Sequence, residues 1–297
     1  MRWRRHAGSS GDADSDGGVL EQLYDLFDYA APDTQPAALP SGISSWTWET
    51  AGCSGNTSDG REFLDYHHAS SASSGPDGNV LVASRNLNTI WSFHANGSGL
   101  QWMISSSLDC SHRAERGCFS FVHDADMFYA PHSVAQLNGS TLLLLDDGNN
   151  RPGCAHFTDY AGCWSRAIMY RLDFDTMVAR LAWQFEAPFR LPNDDSSIFS
   201  KSVWRHVMTH DEYNFDGGSV HALESDRLLV GFTATFSSRA YNRNASDLIW
   251  EVDPALPDAE SIKSVLVVPR SGQDTSEGLW RAVPWRTIFG ESTNCPL

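Results

Sequence analysis

Short apolar runs bounded by polar turns recur along this chain, and the longest stands at its centre. Leu142, Leu143, Leu144 and Leu145 follow an Asn138-Gly139 turn and lead into the acidic, Gly/Asn-rich stretch Asp146-Asp147-Gly148-Asn149-Asn150. Such a run between turn signals predicts a buried strand. The layout appears twice more. Asp77-Gly78-Asn79 precedes Val80-Leu81-Val82-Ala83, and Glu224-Ser225-Asp226 leads to Leu228-Leu229-Val230. After each run come a polar turn, a second strand (89–93, 167–172 and 247–252), an acidic or Gly-rich turn and a third strand. Units of roughly 45 to 90 residues built only of strands predict propeller blades or similar repeats. Their insertions vary too much for a solenoid.

Taken in order, residues 1–18 are rich in Gly, Ser and Asp and are expected to be disordered. Residues 19–29 have helical spacing and predict one short helix, followed by a Pro/Ala linker to Pro40. Trp46-Thr47-Trp48 reads as the outer strand of a blade. The first full unit spans about 66–104, a charged loop runs from Cys110 to Cys118, and 119–122 is an apolar link into the central unit, which ends near Phe185. A Pro- and Asp-rich loop at 191–197 separates it from the last full unit. The tail, 279–289, carries Trp280 and Trp285 and reads as part of a final blade. The expected division is a linker segment over 1–45 and an all-β, β-propeller domain over 46–297, with three blades and two partial ones.

Composition narrows the function classes. A chain of 297 residues with 41% hydrophobic positions and 11 tryptophans suffices for one large all-β core. A formal net charge of -16 argues against nucleic acid, because counterion release needs a basic footprint. An anionic substrate would need a locally positive pocket. No apolar run approaches the roughly 18 residues of a membrane span. Paired cysteines (Cys110 with Cys118, Cys154 with Cys163) and sequons at Asn56, Asn96, Asn138 and Asn244 fit a glycosylated, secreted or lumenal protein. The basic start at Met1 has no apolar segment behind it and reads as no signal peptide, which predicts a true N-terminus upstream.

The candidate chemistry lies at the starts of the repeated strands. His68, His132 and His221 each stand ahead of one, and Arg151 follows the central leucines. In a propeller the first strand of each blade lines the central channel, so these side chains would converge at one mouth of it. Several neighbours compete: His67 with His68, because adjacent strand residues face opposite ways; His123 with His132; His206 and His210 with His221; Arg85 and Arg166 with Arg151. His206, His210 and His221 also read as a zinc pattern, without the helical context such sites have. Asp146 to Arg151 also reads as a solvated turn. No GxxxxGK[ST] loop, GxGxxG turn or GxSxG elbow is present, so no nucleotide cofactor and no serine hydrolase is expected.

The runs LDYHHASSASSGPDGNVLVASRNLNTIW, His132 through Arg151, SRAIMYRLDFDTMVARLAWQF and GSVHALESDRLLVG, in that order, resemble the arylsulfotransferase (ASST) family. The resemblance covers roughly 46–290. It implies a six-bladed propeller, whose early blades this sequence would lack. It also implies sulfuryl transfer from a phenolic sulfate ester to an acceptor phenol through a sulfohistidine, with no cofactor and no nucleotide sulfate donor. By motif match, His221 is similar to the family's nucleophile, and His68, His132 and Arg151 to its sulfate-binding residues. A binding or scaffold propeller and an inactive remnant are the alternatives, because the fold hosts both. A mouth gathering His and Arg would favour the enzyme.

Overall fold

The computed structural model describes residues 2–4, 19–21, 25–29, 54–56, 62–64, 67–108, 110, 117–149, 151–153, 164–186, 217–232 and 246–269. Two short antiparallel pairs come first: β1 (Arg2–Arg4) with β2 (Val19–Glu21), and β3 (Ser54–Asn56) with β4 (Glu62–Leu64). The first blade is β5 (Ala69–Ser74), β6 (Val80–Ser84), β7 (Thr89–Phe93) and β8 (Leu100–Ser105). Strand β9 (Cys118–Phe121) follows. The central blade is β10 (Pro131–Asn138), β11 (Thr141–Asp146), β12 (Arg166–Asp173) and β13 (Val178–Phe185). The third is β14 (Ser219–Ala222), β15 (Leu228–Phe232), β16 (Ser246–Val252) and β17 (Ile262–Pro269). Each blade is a four-stranded antiparallel meander, and the fold is all-β and of propeller type.

The four leucines of β11 show why the blades stack. Leu142 and Leu144 enter a core shared with Leu81, Ala83, Ile90 and Trp102 of the first blade. Leu143 and Leu145 face the other way, onto Val220, Val230, Phe232 and Trp250 of the third. A strand covered on both faces needs an unbroken apolar run, because its period of two delivers alternate side chains to two cores. All six residues of β11 are buried.

Serine hydroxyls join the inner strands of neighbouring blades. Ser70 Oγ donates to the Pro131 carbonyl at 2.6 Å and Ser73 Oγ to that of Val134 at 2.7 Å. Ser133 Oγ donates to the Val220 carbonyl at 3.1 Å and accepts from the Val220 N–H at 3.0 Å. The Ala-Ser-Ser-Ala-Ser-Ser composition of β5 thus supplies short donors where side chains must reach a neighbouring backbone. Strand β9 runs parallel to both β8 and β13 and merges the first two blades into one nine-stranded sheet. It covers two outer edges that would otherwise be open to pairing.

The strands expected at 89–93, 167–172 and 247–252 are β7, β12 and β16. The apolar link at 119–122 is itself a strand, β9, tied by a Cys110–Cys118 disulfide with Cα atoms 5.5 Å apart. Two expectations near the N-terminus are corrected. Within 1–18, Arg2–Arg4 is a strand, and within 19–29 the described residues form β2 and a 3-10 turn at Leu26–Asp28, not one helix. The apolar spacing there serves docking: Tyr29 packs 5.3 Å from Phe93 and 6.2 Å from Trp91, ring centre to ring centre, on the first blade's outward face. The predicted Trp46 strand, the 191–197 loop and the tail at 279–289 lie outside the described residues, as do Cys154 and Cys163.

Candidate functional site

The segment ahead of β10 is held from several sides. Arg166 Nη2 donates to the carbonyls of Ala125, Asp126 and Met127, the last at 2.8 Å. The Tyr170 hydroxyl donates to the Asp126 carbonyl. Asn88 of the first blade accepts from the Ala130 N–H at 2.7 Å. Ala130 and Ser133 take left-handed φ values of 53° and 51°, and a bulge separates His132 from Ala135. Left-handed φ in residues other than glycine persists only where surrounding bonds over-determine it, and bulges re-aim side chains.

Two adjacent carboxylates organise what this segment presents. Asp146, fully buried at the end of β11, accepts from the Tyr129 N–H at 2.8 Å, from Arg151 Nη2 at 2.6 Å and from Arg166 Nε at 2.9 Å. Asp147, equally buried, places Oδ2 2.8 Å from His132 Nδ1, which also lies 3.2 Å from the Ala130 carbonyl. The Arg151 guanidinium lies 3.7 Å over the Trp164 ring and 5.2 Å from that of Tyr129. His132 is therefore held by Asp147 and Arg151 by Asp146, two adjacent residues where β11 ends. Asp146-Asp147 is a buried clamp and no solvated turn. The sequence reading missed its role, although the signal was there: two acidic residues directly after an apolar strand that an arginine follows.

The competing residues separate by environment. Arg166 spends Nε on Asp146, Nη1 on Gln184 Oε1 at 2.7 Å and Nη2 on carbonyls, so all its nitrogens are structural. Arg151 engages one amino group among the described residues, and its Nε is buried there without a partner. Arg85 is buried, with Nη1 3.3 Å from Asn86 Oδ1. His67 is buried beside Ser84 Oγ, 3.3 Å away, and edge-on to Trp91, whereas His68 is half-buried. His123 is exposed and His132 buried. His206 and His210 lie outside the described residues.

The three motif histidines are not at equivalent places in their blades. Ala69 pairs with Ser84 and Pro131 with Asp146, so His68 matches Ala130 in register, and both have left-handed φ, 44° and 53°. His132 lies inside β10 opposite Leu145, and His221 inside β14 opposite Leu229, half-buried with its Nε2 enclosed. Serine bonds nevertheless tie their strands together. Ser70, two residues after His68, bonds to Pro131, which precedes His132, and Ser133, which follows His132, bonds to Val220, which precedes His221.

Burial pushes the phenols of this region up. Tyr170 is raised well above its ordinary value by desolvation, and Tyr129 is raised by desolvation, with Arg151 opposing. A raised folded-state value means the unfolded chain loses its phenolic protons first. The stability these groups contribute is complete below about pH 10 and declines as pH rises beyond it. Urea midpoints measured from pH 8 to pH 11 should fall above pH 10, and the fall should shrink in Tyr170→Phe.

Among solved structures, the chain is similar to the β-propeller domain of Nup133 from Vanderwaltozyma polyspora, at 14% identity and a TM-score of 0.34 over 70% of this chain. The match spans 49% of that chain's length. A comparison with curated proteins finds no match. The sequence model of a family described as Arylsulfotransferase (ASST) matches residues 14–235, which take in the first two blades and the inner hairpin of the third. The chain belongs to the arylsulfotransferase (ASST) family.

Proposed function

We propose that this chain transfers a sulfuryl group from a phenolic sulfate ester to an acceptor phenol by a two-step route without a nucleotide donor. The observation that supports the reading is the serine-bonded lattice of β5, β10 and β14, which joins the strands that carry or follow His68, His132 and His221, with Arg151 held by Asp146 at the end of β11, the strand paired with β10. Family membership supplies the reaction type.

A sulfuryl group in transfer resembles a phosphoryl group, with charge spread over three equatorial oxygens, so it calls for positioned donors. Arg151, stacked on Trp164 with one amino group on Asp146, directs its remaining N–H groups to those oxygens. His68 and His132 add ring N–H donors. A nitrogen of neutral His221 attacks sulfur and forms the S–N bond of a sulfohistidine as the S–O bond to the donor phenol breaks, and that phenoxide leaves with the bonding pair. The acceptor's oxygen then attacks sulfur and forms the new S–O bond as the S–N bond breaks and its pair returns to the imidazole; the proton the acceptor loses balances, through solvent, the one the departed phenoxide takes up. The functional unit is the propeller domain over 46–297, and the Cys110–Cys118 disulfide favours an oxidising, secreted or lumenal setting.

The test incubates the purified chain with a chromogenic aryl sulfate, with and without excess phenol, and maps sulfuryl adducts by mass spectrometry of intact and digested protein. An adduct on His221 that His221→Ala abolishes, with phenol release dependent on the acceptor, is expected. An adduct on His206 or His210 would move the nucleophile and keep the reaction. A folded chain giving neither adduct nor release would overturn the proposal in favour of a binding module.

A further inference from the structure

His68, His132 and Arg151 stand near the end of the blades where β5 and β10 begin and β11 finishes. The opposite end carries two sequons in turns, Asn96-Gly97-Ser98 between β7 and β8 and Asn138-Gly139-Ser140 between β10 and β11. Antiparallel strands reverse direction at each turn, so both lie at the same end of neighbouring blades. Asn79 Nδ2, donating to Gln136 Oε1 at 3.0 Å, ties those ends together. The two sequons fold alike. Asn96 Oδ1 accepts from the Ser98 N–H at 2.9 Å, and Asn138 Oδ1 from the Ser140 N–H at 3.0 Å and from the Ser140 hydroxyl at 3.4 Å. Each is an Asx-turn. The surrounding backbone is held as well: the His94 N–H donates to the Gly99 carbonyl and the Gly97 N–H to that of His94, both at 3.1 Å, and Gln136 Nε2 donates to the Gly139 carbonyl at 3.1 Å. Asn96 and Asn138 are exposed, and nothing lies within 4 Å of a Cβ placed on Gly139. With Oδ1 bonded into the turn, Nδ2, on the same carbon, faces away from it.

We propose that Asn96 and Asn138 each carry an N-linked oligosaccharide, which places both glycans at the end of the blades opposite Arg151 and His132. The inference rests on the secreted or lumenal setting proposed above, and not on the sulfuryl transfer. The co-substrate class is an oligosaccharide linked to a polyisoprenyl pyrophosphate. Nδ2 attacks its anomeric carbon and forms the C–N bond as the C–O bond to pyrophosphate breaks. The lipid pyrophosphate leaves with that bonding pair, and Nδ2 gives up one proton. An amide nitrogen is a weak nucleophile, and a hydroxyl donating to the amide oxygen, as Ser140 does to Asn138, makes its protons easier to lose. A glycan is bulky and needs a surface position, which these exposed turns supply. Of the other two sequons, Asn56 ends strand β3 and Asn244 lies outside the described residues.

The test starts from protein purified from its native source, alkylated without reduction and digested, with intact glycopeptides sequenced by mass spectrometry. Intact glycopeptides are read because Asn-Gly pairs also deamidate spontaneously, so aspartate at these positions is not diagnostic. Oligosaccharide is expected on the peptides holding Asn96 and Asn138, together with unalkylated Cys110 and Cys118. In the full chain expressed through a eukaryotic secretory route, Asn96→Gln and Asn138→Gln should each remove one glycan. Ser98→Ala and Ser140→Ala, which keep the asparagines, should do the same, whereas Ser98→Thr and Ser140→Thr should retain both glycans. A native chain with a bare Asn96 or a bare Asn138 overturns the proposal, whatever stands on Asn56 or Asn244. Alkylated Cys110 and Cys118 in that chain would sink the lumenal setting as well, whereas bonded cysteines beside bare asparagines sink the glycans alone.

Discussion

Asp146→Asn should cost the protein about 3 to 5 kcal/mol, the usual penalty for breaking a buried ion pair by removing one partner. The carboxylate is fully buried and carries the only negative charge in hydrogen-bond contact with either Arg151 or Arg166 among the described residues. Asparagine keeps an acceptor for the Tyr129 N–H, so the loss falls on the two guanidinium groups. One of them, Arg166, is 2% exposed and anchors the carbonyls of 125–127. With a typical total of about 5 to 15 kcal/mol, the variant would be close to its folding threshold at 37 °C. Urea unfolding of the purified proteins reads this directly: the midpoint should drop steeply at a constant m-value. A shift worth less than about 1 kcal/mol would mean that water reaches the arginines and that the clamp is not the closed structure described above.

Gly148→Ala should cost at least about 2 kcal/mol, and the reason is separable into two parts. Gly148 has φ +81°, and a left-handed conformation alone costs a side chain roughly 1 to 2 kcal/mol. In addition, a Cβ there would stand 1.9 Å from the Trp164 carbonyl oxygen, which is backbone and must move with the chain. Gly153 is the internal control, since it has φ +89° and nothing within 4 Å of an added Cβ. Gly153→Ala should show the conformational cost only. The difference between the two variants measures the close approach that seats Trp164 under Arg151, so Gly148→Ala should also weaken aryl sulfate binding while Gly153→Ala leaves it alone. Equal losses in the two variants would remove the argument for that approach.

How much of this was legible beforehand differs between elements. The strands at 89–93, 167–172 and 247–252 coincide with β7, β12 and β16, because a strand's period and its flanking turns are local properties that short windows record. The four leucines announced a buried strand for the same reason. Only the packing shows that two of them serve one interblade core and two the next. The apolar spacing of 19–29 misled because periodicity reports that residues must be buried, not against what. With Trp91 and Phe93 offering a surface, Tyr29 docks there and no helix is needed.

The same division holds at the site. The chain order alone determined a repeated strand unit, a histidine near each inner strand and an arginine after the central one. Only the tertiary structure decided which of His67 and His68 enters the core, that Arg166 is consumed by the fold while Arg151, among the described residues, spends one amino group on Asp146, and that Asp147 lies against His132. It also decided that His68 matches Ala130, and not His132, in blade register. These outcomes depend on bulges, on left-handed residues and on hydrogen bonds between strands more than sixty positions apart, such as Ser70 to Pro131. A linear pattern carries the period of each strand, whereas pairing register and charge partners are set by which packed arrangement satisfies every buried polar group at once.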